Sequence, residues 1–377
     1  MSTSLCFSHE ERQHAAAYHR PLYLALLVDL VLGAGVLVVL EWTSAGRRVF
    51  SLVDSLPPVL AAASYTVLVV AVSTLVRLPL AFWRGWLRER RWGLSTETLP
   101  GWLADQAKGL AVSIVLIAGA WASAVALARA LPGWWALPGA MALALGVLLL
   151  SFVAPVVLEP LFNRFRPLED RALASELQAL AKRAGVPVRE VLLADASRRT
   201  TKVNAYVSGL GRTRRIVLFD TLLAGTDPQE VRLVVAHELG HWRDRHVAKL
   251  TALGMAGAAA VVAILWSVLG TRVASPSELP LALLLVLALE LAVMPAGAAL
   301  SRRWERAADR ASLDLAQDPE AFARAHRELA RRNVSDLEPP RLAYVLLFSH
   351  PTPPERLELG RAWAAARAGA PAAGDVP

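Results

Sequence analysis

Of the chain's 377 residues, 55% are hydrophobic and only 19% charged, against roughly a quarter charged in soluble domains, which argues against an ordinary soluble globular protein. The formal net charge of +8 comes almost wholly from arginine, with lysine only at positions 108, 182, 202 and 249. Because the arginines are spread through loops beside apolar runs rather than gathered in a stripe, they read as a membrane topology signal and exclude a nucleic-acid partner. 

The single Cys6 leaves no intramolecular disulfide, no cysteine metal cluster and no C-terminal lipidation box. The stretch 1–20, with Glu10, Glu11, Arg12 and three histidines, does not read as a cleavable signal peptide. Behind it come six apolar segments, each long enough for the ~20 helical residues that cross a bilayer. They are expected at about 21–41, 57–83, 109–131, 134–158, 250–271 and 279–300. Pro132-Gly133 makes a tight hairpin between the third and fourth. Trp83, Trp86, Trp102, Trp134 and Trp135 lie near segment ends, where indole rings prefer the headgroup layer.

Charge bias orients the spans. Arg84, Arg88, Arg90 and Arg91 follow the second span, and the regions after the fourth and sixth are also rich in arginine. The other loops hold only Arg47, Arg48 and Arg272, with Arg129 at an edge. The positive-inside rule therefore puts both termini and both large polar regions in the cytoplasm.

Residues 159–249 form a polar insertion between the fourth and fifth spans. Glu169 to Ala184 carries Leu173, Leu177 and Leu180 at helical spacing, and Val191 to Leu193 is a short strand. Val203 to Ser208 and Arg215 to Phe219 read as a hairpin joined through Gly209 and Gly211. A helix begins at Asp227-Pro228-Gln229-Glu230, with Asp at N-cap and proline at N1, where its missing N–H does no harm. This helix is expected to run straight into the fifth span. Helix continues after the sixth span from Ser301 to Asp314, and another starts near Asp318-Pro319. From about 364 the Ala-, Gly- and Pro-rich tail reads as disordered.

The fold class that emerges is mainly α: a polytopic helical membrane protein of six spans with a small cytoplasmic α/β insertion. Four regions are expected. Residues 1–158 hold four spans, and 159–249 carry the hairpin and the helix that follows it. Residues 250–300 form a membrane hairpin, and 301–377 form cytoplasmic C-terminal helices.

The chemistry is concentrated in His237-Glu238-Leu239-Gly240-His241, an H-E-x-x-H run inside a helix. Residues four apart share a helix face, so both imidazoles reach one tetrahedral zinc ion, one per chain. Glu238 is the general base, taking a proton from the attacking water and returning it to the leaving amine. A surface helix with two solvated histidines is disfavoured by Val231, Leu233, Val234 and Val235 upstream, which mark a buried helix. His246 follows His241 by five residues without a glycine turn, and reads as structural.

A catalytic zinc needs a third protein ligand. Glu305 is the candidate, with Asp309 one turn on to hydrogen-bond a ligating imidazole. Alone, this E-x-x-x-D on an arginine-rich helix is a solvated charged face; beside the H-E-x-x-H helix the functional reading is the stronger. Asn204-Ala205-Tyr206 lies on an edge strand able to bind an extended substrate, or is an ordinary hairpin. His350 and Arg356 would serve an oxyanion, although from spacing alone they are a solvated pair.

With these stretches in view, the chain resembles the integral-membrane zinc metalloproteases typified by the type I CAAX prenyl protease. The resemblance rests on Trp92 to Thr98, Pro160 to Phe165, Asn204 to Tyr206, Arg215 to Leu223, His237 to Trp242, Glu305 to Asp309 and His350 to Arg356. It implies His237, His241 and Glu305 as metal ligands, Glu238 as general base and Asn204 as a substrate contact. It also implies His350 and Arg356 near the scissile carbonyl. Family members enclose a large intramembrane chamber, consistent with Asp29, Arg77 and Glu290 lying within the spans here. Eukaryotic relatives carry one more span, and the first is the one expected to be missing.

The expected activity is a membrane zinc endopeptidase, CAAX prenyl protease-like, acting on peptides or proteins that are prenylated or membrane-associated. Heavy use of arginine and alanine points to a GC-rich bacterial genome and so to the plasma membrane, where general clearance of misfolded proteins or peptides is the alternative duty. A six-span transporter with a structural zinc site is the reading from another class. It leaves Glu238 unexplained and lacks the four closed ligands, commonly with cysteine, of a structural site.

Overall fold

The computed structural model describes residues 7–209 and 211–369; Cys6 and the tail from 370 lie outside the described residues. Among the described residues, six helices are long and apolar enough to cross a membrane. They are α1 (His9–Trp42), α3 (Pro58–Arg91), α4 (Leu99–Ala130), α5 (Ala136–Phe162), α9 (His246–Leu269, continued by a 3₁₀ turn) and α10 (Leu279–Ala316). A short α2 (Ser44–Phe50) follows α1. Local chemistry sets the starts: Ser8 and Glu11 close a capping box on α1, and Thr98 caps α4. Both α3 and α5 carry a π turn near their ends, at Trp83–Leu87 and Ala154–Leu158.

The spans pack around a core that includes Tyr65, Trp121, Trp135 and Leu265. Trp102 and Trp135 are 4% and 1% exposed, so the headgroup-layer expectation fails for both. Trp135 is drawn inward by its N–H, which donates to Gly270 O at 3.1 Å, and Trp102 meets Phe82 edge to face. Trp134 stays 76% exposed. Of the charges inside spans, Asp29 and Arg77 form a two-pronged ion pair of 2.9 and 2.5 Å between α1 and α3. Neutralising each other is the least costly way to keep both there.

The polar insertion is a four-stranded sheet with helices against it, in the order β1-β2-β4-β3. The strands are β1 (Phe165–Pro167), β2 (Glu190–Ala194), β3 (Ala205–Ser208) and β4 (Arg215–Phe219). The expected hairpin is present as the antiparallel β3–β4 pair, with Ala205 opposite Leu218. Gly209 allows its turn: φ is +84°, and an added Cβ would lie 2.4 Å from Thr213 O. Sequence patterning did not give β1 or the parallel pairing of β2 with β4, because a three-residue strand and a crossover leave no local periodicity. The parallel connection from β2 to β4 runs through β3, while helix α6 (Arg171–Arg183) joins β1 to β2 and its buried Leu173, Leu177 and Leu180 meet the sheet. A short turn, α7 (Asp220–Leu223), leads on from β4.

Helix α8 (Pro228–Arg243) is capped by Asp227, which accepts from Gln229 N. It does not continue into the fifth span. Arg245 takes the left-handed conformation, φ 56° and ψ 34°, and α9 starts anew at His246. The break turns His246 back toward α8, which an unbroken helix would prevent. Beyond α10 come α11 (Pro319–Arg332), α12 (Arg341–Leu347) and α13 (Pro353–Arg367). Helix α13 opens on a capping box of Thr352 and Glu355 and remains helical past 364, contrary to the disordered reading. Its Leu359 and Trp363 gain burial against Phe322 and Leu313.

Candidate metal centre

Helices α8 and α10 carry the site and cross closely at Gly240. A Cβ added there would lie 2.9 Å from Ala311 Cβ and 3.1 Å from Ala308 Cα. That close approach brings Glu305 and Asp309 of α10 to the face of α8 bearing His237 and His241. Ser312 Oγ donates to Leu233 O at 2.9 Å and holds the crossing one turn further on.

Nε2 of His237 and Nε2 of His241 are 3.1 Å apart. Glu305 Oε2 lies 3.3 Å from the first, and its Oε1 lies 3.2 Å from the second. Ligand atoms about 2.05 Å from a tetrahedral zinc are separated by about 3.3 Å, so these donors fit such an ion. The electrostatics favour a cation as well. Burial opposes protonation of His237, yet the carboxylates of Asp309 and Glu305 outweigh it and raise its pKa to about 10.

The far side of each imidazole is also held. Nδ1 of His237 lies 2.8 Å from Asp309 Oδ1, and Nδ1 of His241 lies 2.9 Å from Nδ1 of His246. If His241 ligates through Nε2, its proton sits on Nδ1 and donates to His246, whose own proton is then on Nε2. His246 stacks on Trp304 at an interplanar angle of 14°, which fixes its ring. It is absent from the group whose donor atoms converge.

Glu238 follows His237 and lines the adjoining groove, a cavity of about 520 Å³. Burial raises its carboxyl above the ordinary glutamate range. Asn204, His350 and Arg356 line the same groove. His350 Nε2 is 3.3 Å from Glu305 Oε1. Arg356 donates to Glu305 Oε2 at 2.8 Å and to Asp309 Oδ1 at 2.9 Å. Of the three candidate substrate residues, only Asn204 has its side chain in the groove. Ala205 is buried in the sheet core. Tyr206 turns to the opposite face, packing on Phe219 and lying 3.4 Å from Glu159, as strand alternation requires. β3 is the edge strand of the sheet, and two of its outward main-chain groups are already engaged. Asn204 Oδ1 accepts from Ala205 N, and Val207 O accepts from Trp242 Nε1.

Three residues at the site gave no sequence signal. His326 of α11 is buried with Nε2 3.7 Å from Asp309 Oδ1, and burial pushes its pKa down to about 3, so it is neutral. Asn333 donates to Val203 O at 3.0 Å and accepts from Val203 N at 2.8 Å, acting as a strand partner at the start of β3. Arg302 of α10 donates to the carbonyls of Tyr344 and Phe348 at 2.9 and 2.6 Å, fixing the segment that carries His350. Each acts through partners distant in the chain, which no local motif encodes.

A family model described as peptidase family M48 matches residues 167–364. Another, described as CAAX prenyl protease N-terminal, five membrane helices, matches residues 7–164. The chain is 32% identical over 308 residues to a Bacillus subtilis protein named uncharacterized metalloprotease YhfN, covering 76% of this chain and 70% of that one. It is 33% identical over 187 residues to CAAX prenyl protease 1 of Saccharomyces cerevisiae, covering 48% of this chain and 41% of the yeast enzyme. In fold it is similar to the crystal structure of S. mikatae Ste24p, with a TM-score of 0.81 and 24% sequence identity over 94% of this chain and 89% of that one.

Proposed function

The chain belongs to peptidase family M48, a metalloprotease family, and from that premise we propose that it is a zinc-dependent endopeptidase of the membrane with one zinc ion per chain. The observation that carries this reading is the approach of His237 Nε2, His241 Nε2 and the Glu305 carboxylate to 3.1–3.3 Å of one another. Zinc, when bound by those three residues, supplies Lewis acidity toward water and toward the substrate carbonyl.

The rest of the work falls to the chain. Glu238 takes a proton as the water oxygen forms its bond to the carbonyl carbon, then returns it to the amine nitrogen as the C–N bond breaks. Burial raises its affinity for that proton. His350 and Arg356 face the oxygen that gains charge, and Asp309 orients His237. Asn204 and the main-chain edge of β3 at Ala205 and Tyr206 align the substrate by strand addition.

In the proposal the four regions divide as 1–158, 159–249, 250–300 and 301–377, with the catalytic face and both termini in the cytoplasm of a bacterial cell. Asp29, Arg77 and Glu290 line a water-filled chamber. The substrates are peptides or proteins that are prenylated or membrane-associated. The test is mass spectrometry of products from matched CAAX peptides, farnesylated and unmodified, with the Glu238→Ala protein in detergent as the blank. Loss of the last three residues from the farnesylated peptide alone means prenyl specificity. Cleavage of both, or at internal bonds, means a general membrane-surface protease. Cleavage of neither peptide, nor of an unrelated unfolded protein, by metal-loaded enzyme overturns the endopeptidase reading.

A further inference from the structure

A second cavity, of about 630 Å³, opens between α5 and α9, the fourth and fifth spans. The two helices approach closely nearby, where a Cβ on Gly254 would lie 3.1 Å from Val147. Leu148 and Phe152 of α5 line one wall of the cavity, and Val247 and Met255 of α9 line another. It shares no lining residue with the groove at His237.

The remaining lining is cationic. Arg214, Arg243 and Arg245 all border the cavity. Asp244 sits 3.2 Å from Arg243. Arg214 and Arg245 have no acidic partner among the described residues, and Nε of Arg214 is buried with no hydrogen-bond partner. Helix α9 adds to this. Arg245 stands at its N-cap without a capping side chain, and Val247 and Ala248 of the first turn line the cavity. Uncapped N–H groups at the positive end of a 24-residue helix favour an anion.

Guanidinium groups at the polar end of a cleft whose walls are apolar faces of two membrane spans match an amphiphile with an anionic head. We propose that this cavity binds one anionic glycerophospholipid, its phosphate held by Arg214, Arg243 and Arg245 and its acyl chains laid along α5 and α9. A peptide carboxylate would satisfy the arginines but leave the apolar walls facing nothing suited to them. The site touches the catalytic helix directly. Trp242 lines the cavity, lies 5.4 Å beneath the Arg214 guanidinium, and donates its indole N–H to Val207 O of β3. A lipid there steadies the joint between α8 and the edge strand.

The test is native mass spectrometry of the full chain in detergent, titrated with phosphatidylglycerol or with phosphatidylcholine of the same acyl chains. One phosphatidylglycerol should be retained per chain and phosphatidylcholine should not. Arg214→Gln with Arg245→Gln should weaken retention about tenfold or more, at about 1 kcal/mol per basic residue. The paired Lys substitutions should preserve it. Ala252→Trp, which fills the apolar wall and leaves every arginine in place, should abolish it, so the proposal does not depend on the Gln protein folding. Equal retention of both lipids overturns the proposal, as does unchanged phosphatidylglycerol binding in the Ala252→Trp protein. Displacement of the lipid by millimolar inorganic phosphate alone would mean a phosphate site that does not read the tails, and overturns it equally.

Discussion

Nδ1 of His237 lies 2.8 Å from Oδ1 of Asp309, an oxygen that accepts from Arg356 at 2.9 Å. Asp309 Oδ2 and His237 Nδ1 are both buried without a well-aligned hydrogen bond, so the contact of Asp309 with His237 is one of charge and position, and Arg356 is its hydrogen-bonded partner. Asp309→Asn keeps the shape and removes the charge. It should weaken metal binding about 10- to 100-fold, read by competition against a chromophoric chelator. An unchanged dissociation constant in a folded protein would remove Asp309 from the site.

Gly240 is the position where α8 and α10 come closest. Gly240→Ala places a methyl 2.9 Å from Ala311 Cβ and 3.1 Å from the Ala308 backbone, and neither neighbour has a flexible end to move. The helices must part, carrying Glu305 away from His237 and His241. The expected cost is about 1–3 kcal/mol of stability, seen as a lowered melting temperature with reduced metal content. A variant that melts and loads metal like the parent would show that the crossing has slack.

Glu238→Ala should retain the metal, because Glu238 is not among the converging donors, and should lose about 10²- to 10⁴-fold in kcat. Metal analysis and peptide cleavage on one preparation separate the two effects. Full activity in that variant would sink the mechanism.

The pH dependence follows from the same residue. The base must be ionised, and burial raises the Glu238 pKa above the ordinary 4.5. Activity should therefore be present at neutral pH and fall as pH drops through that raised value. The acid limb of kcat/KM belongs above 4.5 in the parent, and a limb at or below 4.5 would assign it to another group.

Glu290 lies on the exposed face of α10 within the sixth span, with no ion-pair partner among the described residues. A lone carboxylate there belongs in water rather than lipid. In a Cys6→Ser background, Glu290→Cys should react with a membrane-impermeant maleimide in the detergent-solubilised and the bilayer-reconstituted protein alike. Labelling in detergent only would count against a water-filled chamber.

What the chain encodes locally was legible in the sequence. The six spans follow from uninterrupted apolar runs. The starts of α8 and α11 follow from a capping side chain with proline at N1, and the β3–β4 hairpin from two β-rich runs across Gly209. The spacing of His237 and His241 is one turn of helix and required no fold to interpret. Other features depended on partners far along the chain: His326 against Asp309, Asn333 against Val203, Arg302 holding the His350 segment, and three arginines meeting two spans at one cavity. The break at Arg245 and the burial of Trp102 and Trp135 were likewise decided by packing. A helix period or a cap is set by neighbours within a few residues, whereas a side chain's partner depends on which helices cross and how closely. In this protein that second question turns on the absence of a Cβ at Gly240.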